Sequence, residues 1–280
     1  YLCGMKVEGV ALGTLIAQYA GFLMGIALWM HNYGRLKRLW EIKNYKLKIK
    51  GGEEAGIWEK GVMLRFLQVN RDIFLRTLCL VAVTLFFTSA GASQGEIILA
   101  VNTLLMQLFT LFSYVMDGFA YAGEALSGRY IGARNREAFT DTVRHLFGWG
   151  AVIAVLFTLV YALGGNAFLG LLTDDKEVIA VADTYFYWAL AVPAVGIAAF
   201  IWDGIFIGAT ATRGMLLSMA AAAVSFFILY YGLRPVLANH ALWLAFLTYL
   251  LMRGVVQTGL SREVIRRAFP SKKEPAWREG

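Results

Sequence analysis

Long apolar runs separated by short polar segments make up most of the chain. We predict that seven of these runs are membrane-spanning helices, because about 20 apolar residues cross the hydrocarbon core of a bilayer. Their predicted bounds are Val10–Met30, Ile73–Ala92, Ile97–Ala120, Leu146–Leu163, Thr184–Ala209, Met215–Leu233 and Leu237–Met252. The pattern therefore predicts an all-α, polytopic membrane protein.

The overall composition agrees with this prediction. Hydrophobic residues make up 59% of the chain and charged residues 16%, whereas a soluble domain usually carries about 25% charged residues. The cysteines are Cys3 and Cys79. Because Cys79 lies inside an apolar run, the sequence argues against a disulfide framework.

The charges of the loops predict the orientation, since cytoplasmic loops are enriched in lysine and arginine. The segment 31–65 is strongly basic, whereas the next loop, GASQGE, has no lysine or arginine. Basic and non-basic loops alternate from there to a basic tail that begins at Arg253. We expect a multi-pass protein of the plasma (inner) membrane, with Tyr1 outside and the C-terminus in the cytoplasm. This asymmetry accounts for the net charge of +7, so the lipid bilayer is an expected partner and nucleic acid is not.

The single long loop suggests how the chain is organised. A lone span followed by a linker and a six-span block is typical of the second part of a repeated transporter fold. We expect residues 1–30 to be the last transmembrane helix of a first lobe whose other spans precede Tyr1. Residues 31–65 would form a basic cytoplasmic linker, 66–260 a six-helix second lobe and 261–280 a basic cytoplasmic tail. The helix Val10–Met30 is expected to lie apart from the six-helix bundle.

Polar residues recur along one face of the third run. Their spacings of four, three, four, three and four residues place them on a continuous stripe of a helix with 3.6 residues per turn. The stripe consists of Thr103, Gln107, Thr110, Tyr114, Asp117 and Tyr121, and Asn102 flanks it. We predict that this polar stripe faces the bundle interior or a cavity, with Leu104, Leu108 and Leu111 on other faces. A water-filled cavity and a polar contact between helices both explain such a stripe.

Asp203 stands alone in the apolar run FIWDGIFIGA. It precedes Arg213 by ten residues, or ~15 Å of helix, which places it near the middle of a membrane core about 30 Å thick. A charge at that depth is costly and is usually functional. One interpretation is a neutral aspartic acid that ties two helices together. The other is a carboxyl group that gains and loses a proton during function, since apolar surroundings favour the neutral form.

Three further features of the spans have two interpretations each. Arg76 lies near the start of the second run, where it would either extend to the cytoplasmic interface or act as a counter-ion for Asp117. Trp202 adjoins Asp203 and would pack against an organic substrate only if its different helical angle allows it. The aromatic residues Tyr185, Tyr187, Trp188 and Trp243 are typical of an interfacial belt, and His240 is expected at the interface.

The sequence lacks the patterns of a soluble enzyme. We find no His, Cys and Asp cluster with zinc-ligand spacing and no Walker-type phosphate loop. No lysine lies within a predicted span, so a retinal Schiff base is excluded as well. We expect neither enzymatic activity nor a metal or organic cofactor.

Three segments resemble multidrug and toxic compound extrusion (MATE) transporters of the DinF-like branch. The segment LAVNTLLMQLFTLFSYVMDGFAYAGEALSGRYIGARN (99–135) is similar to the start of that family's second half. WDGIFIGATATRGM (202–215) and VEGVALGTLIAQ (7–18) are similar to its tenth and sixth spans. The resemblance implies a protein of two six-helix lobes that rock around a central cavity, of which this chain supplies the sixth span and the second lobe.

The resemblance also implies a function. It indicates a secondary antiporter that exports small organic, often cationic, compounds in exchange for H⁺ or Na⁺. Members with a carboxylate in the seventh span carry it near positions 76–79, where this sequence has none, which favours protons. The missing first lobe is then an obligatory partner. The alternatives are a flippase for lipid-linked precursors in the same superfamily, and a non-transporting membrane scaffold or receptor.

The expected site follows from both arguments. Asp203 and Asp117 are the predicted cation- or proton-coupling residues, with Arg76 as a possible counter-ion. We expect Asp203→Asn to fold and insert normally but to lose coupled export. The predicted lining of the substrate cavity is Asn102, Thr103, Gln107, Thr110, Tyr114 and Trp202.

Overall fold

The computed structural model describes residues 12–13, 15–28, 30–31 and 60–270. Helix α1 covers Leu15–Leu28. It is followed by α2 (Lys60–Ala92), α3 (Glu96–Gly132), α4 (Arg136–Leu172), α5 (Lys176–Gly208), α6 (Thr212–Leu237) and α7 (Asn239–Ala268). Within these residues the fold is entirely helical. The prediction of an all-α, polytopic membrane protein is confirmed.

Six of the helices, α2 to α7, are long and apolar enough to cross a membrane. Each corresponds to one of the last six predicted spans. Helix α1 is a shorter apolar helix inside the predicted span Val10–Met30, and the ends of that span lie mostly outside the described residues. The predicted linker 31–65 is described only at His31 and from Lys60, where α2 begins, and the predicted tail only as far as Pro270.

The helices extend well beyond the predicted spans. Helices α3 and α4 have 37 residues each, or ~55 Å at 1.5 Å per residue, compared with about 30 Å of hydrocarbon core. Hydropathy marks only the part of a helix that lipid covers. Helix α7 likewise continues to Ala268, so it includes Arg253, which the loop-charge pattern places in the tail.

The chain divides into two units, Tyr1–Met63 and Leu64–Gly280. In the second unit, which we call the lobe, α5 packs against α3, α4 and α7, and α6 packs against α7. The arginine-containing residues 133–135 join α3 to α4, and we call that side of the lobe its arginine-rich end. Helix α5 continues without interruption through Pro193.

Small residues set how closely α5 approaches α3. A Cβ atom at Gly204 would lie 2.0 Å from the backbone oxygen of Ala120, and one at Gly208 would lie 2.4 Å from that of Glu124. Gly204 and Gly208 are one turn apart, as in the small-xxx-small pairs of membrane helices that cross closely. Asp203 immediately precedes Gly204, so this contact sets the position of Asp203 relative to α3.

Candidate functional site

Asp203 lies at the centre of a charged cluster inside the lobe. Its side chain is 10% exposed, and its Oδ2 atom accepts hydrogen bonds from the guanidinium groups of Arg76 and Arg253, the latter at 2.6 Å. Its Oδ1 atom accepts a bond of 2.5 Å from Nε2 of Gln257. These four residues, which we call the Asp203 cluster, connect α2, α5 and α7.

The partners of Asp203 come from two helices and differ in burial. Arg76 extends from α2, and its side chain remains 20% exposed. Arg253 and Gln257 are four residues apart on α7 and therefore lie on one face. Both are buried, and Arg253 also packs against the rings of Tyr249 and Phe200, at 5.6 and 5.9 Å.

The Asp203 cluster is crowded and its charges are unequal. Two guanidinium groups share one carboxylate. A buried charge is costly when it is left without a partner, so each remaining contact in the cluster matters for stability. Among the described residues, Nε of Arg76, Nε of Arg253 and Oε1 of Gln257 are buried without a hydrogen-bond partner. Asp117 lies within electrostatic range of Asp203 and both arginines, and it is partly exposed. Counting Asp117, the region holds equal numbers of positive and negative groups.

These contacts revise the surroundings expected for Asp203. The sequence predicted an aspartate among apolar side chains, whereas the structure surrounds it with three polar partners. Arg76 neither extends freely to the interface nor bonds to Asp117, because its hydrogen bond goes to Asp203. Sequence reasoning missed Arg253 and Gln257 because the predicted span ended at Met252. The available signal in the sequence was the spacing of four residues between the polar residues at 253, 257 and 261.

The polar stripe of α3 does not face the interior of the six-helix lobe, and the alternative that it faces a cavity stays a prediction. The interior face of α3 carries Leu104, Leu105, Leu108, Phe112 and Met116. The stripe lies on the outer surface, where Tyr114 and Tyr121 are each 70% exposed and Gln107 is exposed as well. Leu104 and Leu108 avoid the stripe as predicted, but Leu111 is also exposed, at 43%. The spacing predicts a continuous face but not its direction.

The residues of the stripe differ in how their polar groups are satisfied. The hydroxyl groups of Thr103 and Thr110 donate to the carbonyl groups of Leu99 and Met106, one turn earlier, both at 2.8 Å. Within the described part of the chain, Gln107, Tyr114, Asp117 and Tyr121 form no side-chain hydrogen bond. These four groups are therefore available to water or to another molecule.

Helix α2 carries a second polar stripe that the sequence analysis did not identify. Its residues are Asn70, Thr77, Thr84 and Thr88, which recur at spacings of seven, seven and four and are all exposed. Their side chains donate to carbonyl groups four residues earlier. Mostly apolar residues separate these four positions, so the segment is recognised from its sequence as an apolar span and not as a polar stripe. Helices α2 and α3 thus both present polar groups on the outer surface of the lobe.

Two predicted cavity residues have structural roles instead. Asn102 is buried and exchanges hydrogen bonds of 2.8 and 2.9 Å with Asn239, while Trp243 donates a third at 2.9 Å. Trp202 is 6% exposed and donates to Thr258 Oγ1 at 2.8 Å. Inside the lobe, neither side chain is open to a substrate.

The predicted aromatic belt is divided by the structure. Trp243 is fully buried, so it does not belong to an interfacial belt. Tyr187 and Trp188 gather around His240, with bonds of 3.0 and 3.1 Å to its Nδ1 atom, and the ring of Tyr185 lies 4.7 Å from the imidazole. Among the described residues, no group of three His, Cys, Asp or Glu side chains is placed to hold a metal ion.

Comparison with known proteins gives a consistent result. Residues 73–233 match the family described as MatE. The chain is 40% identical over 251 residues to the DNA damage-inducible protein F of Escherichia coli (strain K12), covering 90% of this chain and 52% of that protein. It is 23% identical to Protein DETOXIFICATION 45, chloroplastic, of Arabidopsis thaliana, covering 74% of this chain and 34% of the relative. It is 21% identical to Protein DETOXIFICATION 42 of the same plant, covering 90% of this chain and 45% of that relative. The chain therefore spans about half the length of these curated relatives, or less.

Proposed function

Because this chain belongs to the MatE family, we propose that it supplies one lobe of a secondary antiporter. The complete protein would export small organic, often cationic, compounds in exchange for H⁺ or Na⁺ across the plasma (inner) membrane. Tyr1 of this chain would lie outside and its C-terminus in the cytoplasm. The observation that carries this proposal is the polar stripe of α3, which lies on the outer surface of the lobe at membrane depth.

The stripe supports transport because its polar groups would be energetically unfavourable in contact with lipid. An amide or carboxyl group without a partner in hydrocarbon costs several kcal/mol. Gln107 and Asp117 have no side-chain partner among the described residues, so this surface requires water or a second lobe. A second lobe facing the stripe would enclose a cavity lined by Thr103, Gln107, Thr110 and Tyr114. We expect a small organic substrate to bind in such a cavity.

Within this proposal the two aspartates have different tasks. Asp117 is the open carboxylate, and it would bind the coupling ion or the cationic substrate directly. Asp203 is held by Arg76 and Arg253 in the state described. Neutralising Asp203 with a proton would release both arginines and loosen α2 and α7 from α5. Proton entry and helix movement would thereby be linked, and linkage between two ligands is reciprocal.

Two alternatives have weaker support. A flippase for lipid-linked precursors needs cationic side chains that are free to bind phosphate. The lobe has two arginines at membrane depth, Arg76 and Arg253, but both bind Asp203. A non-transporting scaffold or receptor would not need four open polar groups on one transmembrane face.

The test uses the full-length protein, with both lobes, in proteoliposomes. A panel of lipophilic organic cations is added under an imposed pH gradient in Na⁺-free buffer, and proton movement is recorded with an internal pH dye. We expect proton flux that depends on substrate. Gln107→Leu should reduce it severalfold, whereas the matched control Val155→Leu, at an exposed apolar position of α4, should leave it unchanged.

Other results would change the conclusion. Flux that appears only with a Na⁺ gradient would assign Na⁺ as the coupling ion. The absence of substrate-dependent flux of either ion from protein shown to be folded would contradict the antiporter and favour a scaffold or receptor.

A further inference from the structure

A groove lies between α3 and α4 near the arginine-rich end, and none of its lining residues belongs to the Asp203 cluster. Its volume is about 340 Å³, and it is open along the side of the lobe. Its apolar lining comes from Phe119 and Leu126 of α3 and from Leu146 and Trp149 of α4. The Trp149 side chain is 61% exposed, so the groove is accessible from the surface of the lobe.

The groove changes character along its length at the depth where a membrane ends. Phe119, Leu146 and Trp149 fall within the two predicted spans, whereas Asp141, Thr142 and His145 precede the span that starts at Leu146. Asp141 is five residues from Leu146, or ~7.5 Å along the helix. That distance matches the headgroup layer on one side of a bilayer. Acyl chains would therefore face the apolar part and a headgroup the polar part.

The groove does not open on the surface that carries the polar stripe. Phe119 and Leu126 each follow a stripe residue, Tyr114 and Tyr121, by five positions, which is about 140° around the helix. If the stripe faces a second lobe, the groove opens in a different direction. Lipid is the molecule that surrounds a membrane protein on its other sides.

The polar part of the groove offers groups of both signs. The Asp141 carboxylate lines the groove, and the Arg144 guanidinium lies beside it at 3.8 Å, with its side chain 78% exposed. The Nδ1 atom of His145 lies 2.7 Å from the carbonyl oxygen of Asp141. A carbonyl oxygen only accepts, so Nδ1 carries the hydrogen and Nε2 of the neutral ring is an acceptor. The Thr142 hydroxyl donates to the Ala138 carbonyl and keeps its acceptor capacity.

We infer that the α3–α4 groove is a binding site for an ethanolamine phospholipid of the adjacent leaflet. The ammonium group donates to the Asp141 carboxylate and His145 Nε2, and the phosphate binds Arg144. The acyl chains lie against Phe119, Leu146 and Trp149. An anionic headgroup without an ammonium would leave the Asp141 carboxylate facing a phosphate, and a choline headgroup has no N–H to donate.

The test measures lipid binding to the full-length protein by native mass spectrometry after delipidation. Phosphatidylethanolamine, phosphatidylcholine and phosphatidylglycerol with identical acyl chains are added in turn. We expect the ethanolamine lipid to bind most tightly. Asp141→Asn should weaken its binding by up to about fivefold, the effect of one exposed ion pair, and leave phosphatidylglycerol unaffected or tighter.

Two further variants separate the groove from a general effect of charge. Glu137→Gln removes a negative charge from the same helix one turn earlier, outside the groove, and should leave all three affinities unchanged. Trp149→Ala should weaken binding of all three lipids. Equal effects of Asp141→Asn and Glu137→Gln, or tightest binding of phosphatidylglycerol to the unmodified protein, would overturn the proposal.

Discussion

The Asp203 carboxylate carries one negative charge and binds two positively charged guanidinium groups. Arg76 and Arg253 both bond to one of its oxygen atoms, and Arg253 is buried. Removing one member of a buried ion pair costs about 3–5 kcal/mol, because the remaining charge loses its partner. The stability of the lobe therefore depends on the negative charge at position 203.

This arrangement predicts that Asp203→Asn lowers the thermal unfolding midpoint of the full-length protein in detergent. The asparagine keeps the shape but leaves two guanidinium groups without a carboxylate. The expectation from the sequence alone, that this variant folds normally, is therefore replaced. Asp117→Asn is the matched control and should lower the midpoint much less, since Asp117 forms no ion pair among the described residues. Equal midpoints for the two variants would show that Asp203 is not a structural ion.

A second prediction at this scale concerns Arg253. Arg253→Met keeps the length and the apolar stem of the side chain, which packs against Phe200 and Tyr249. Because Arg76 still neutralises Asp203, we expect this variant to lose less stability than Asp203→Asn. The double variant should lose less than the sum of the two single losses, measured as a double-mutant cycle in chemical unfolding. Strict additivity would indicate that the contact carries no coupling energy.

At the scale of the element, α5 depends on Gly204 for its crossing with α3. An added Cβ would lie 2.0 Å from the Ala120 backbone oxygen, and a backbone atom cannot rotate away as a side chain does. We predict that Gly204→Ala destabilises the lobe by at least ~1–3 kcal/mol, the usual range for overpacking. Gly148→Ala is the control, since its Cβ meets nothing within 4 Å, and should be neutral or stabilising by up to ~1 kcal/mol. Equal unfolding midpoints for the two variants would contradict the close crossing.

The sequence predicted the elements better than their contacts. Six helices follow from apolar runs long enough to cross a bilayer, and these helices are present. Their full length did not follow, because α3, α4 and α7 continue as helix where hydropathy ends. The face of the polar stripe was predictable from its spacing, but its outward direction depends on tertiary packing. Arg253 was assigned to the tail because the apolar run, and with it the predicted span, ends at Met252.

At the scale of the whole molecule, the outward stripe predicts which surface water reaches. In full-length protein whose native cysteines have all been replaced, Tyr114→Cys should react with a membrane-impermeant maleimide when the cavity is open. Val155→Cys, at an α4 position that is 60% exposed, compared with 70% for Tyr114, should react much more slowly because lipid covers it. Labelling is measured by gel shift in intact proteoliposomes. Similar rates at both positions would mean that the stripe does not border an aqueous space.

The threonine hydroxyl groups on α2 and α3 also bear on biogenesis. Each donates to a carbonyl group of its own helix, so its hydrogen is satisfied before any other helix arrives. A nascent helix can then leave the translocon sideways into lipid without waiting for a partner. The same oxygen atoms keep lone pairs that accept from water later. These threonines are thus compatible with lipid during synthesis and with solvent in the proposed transporter, and no rearrangement of the backbone is needed between the two.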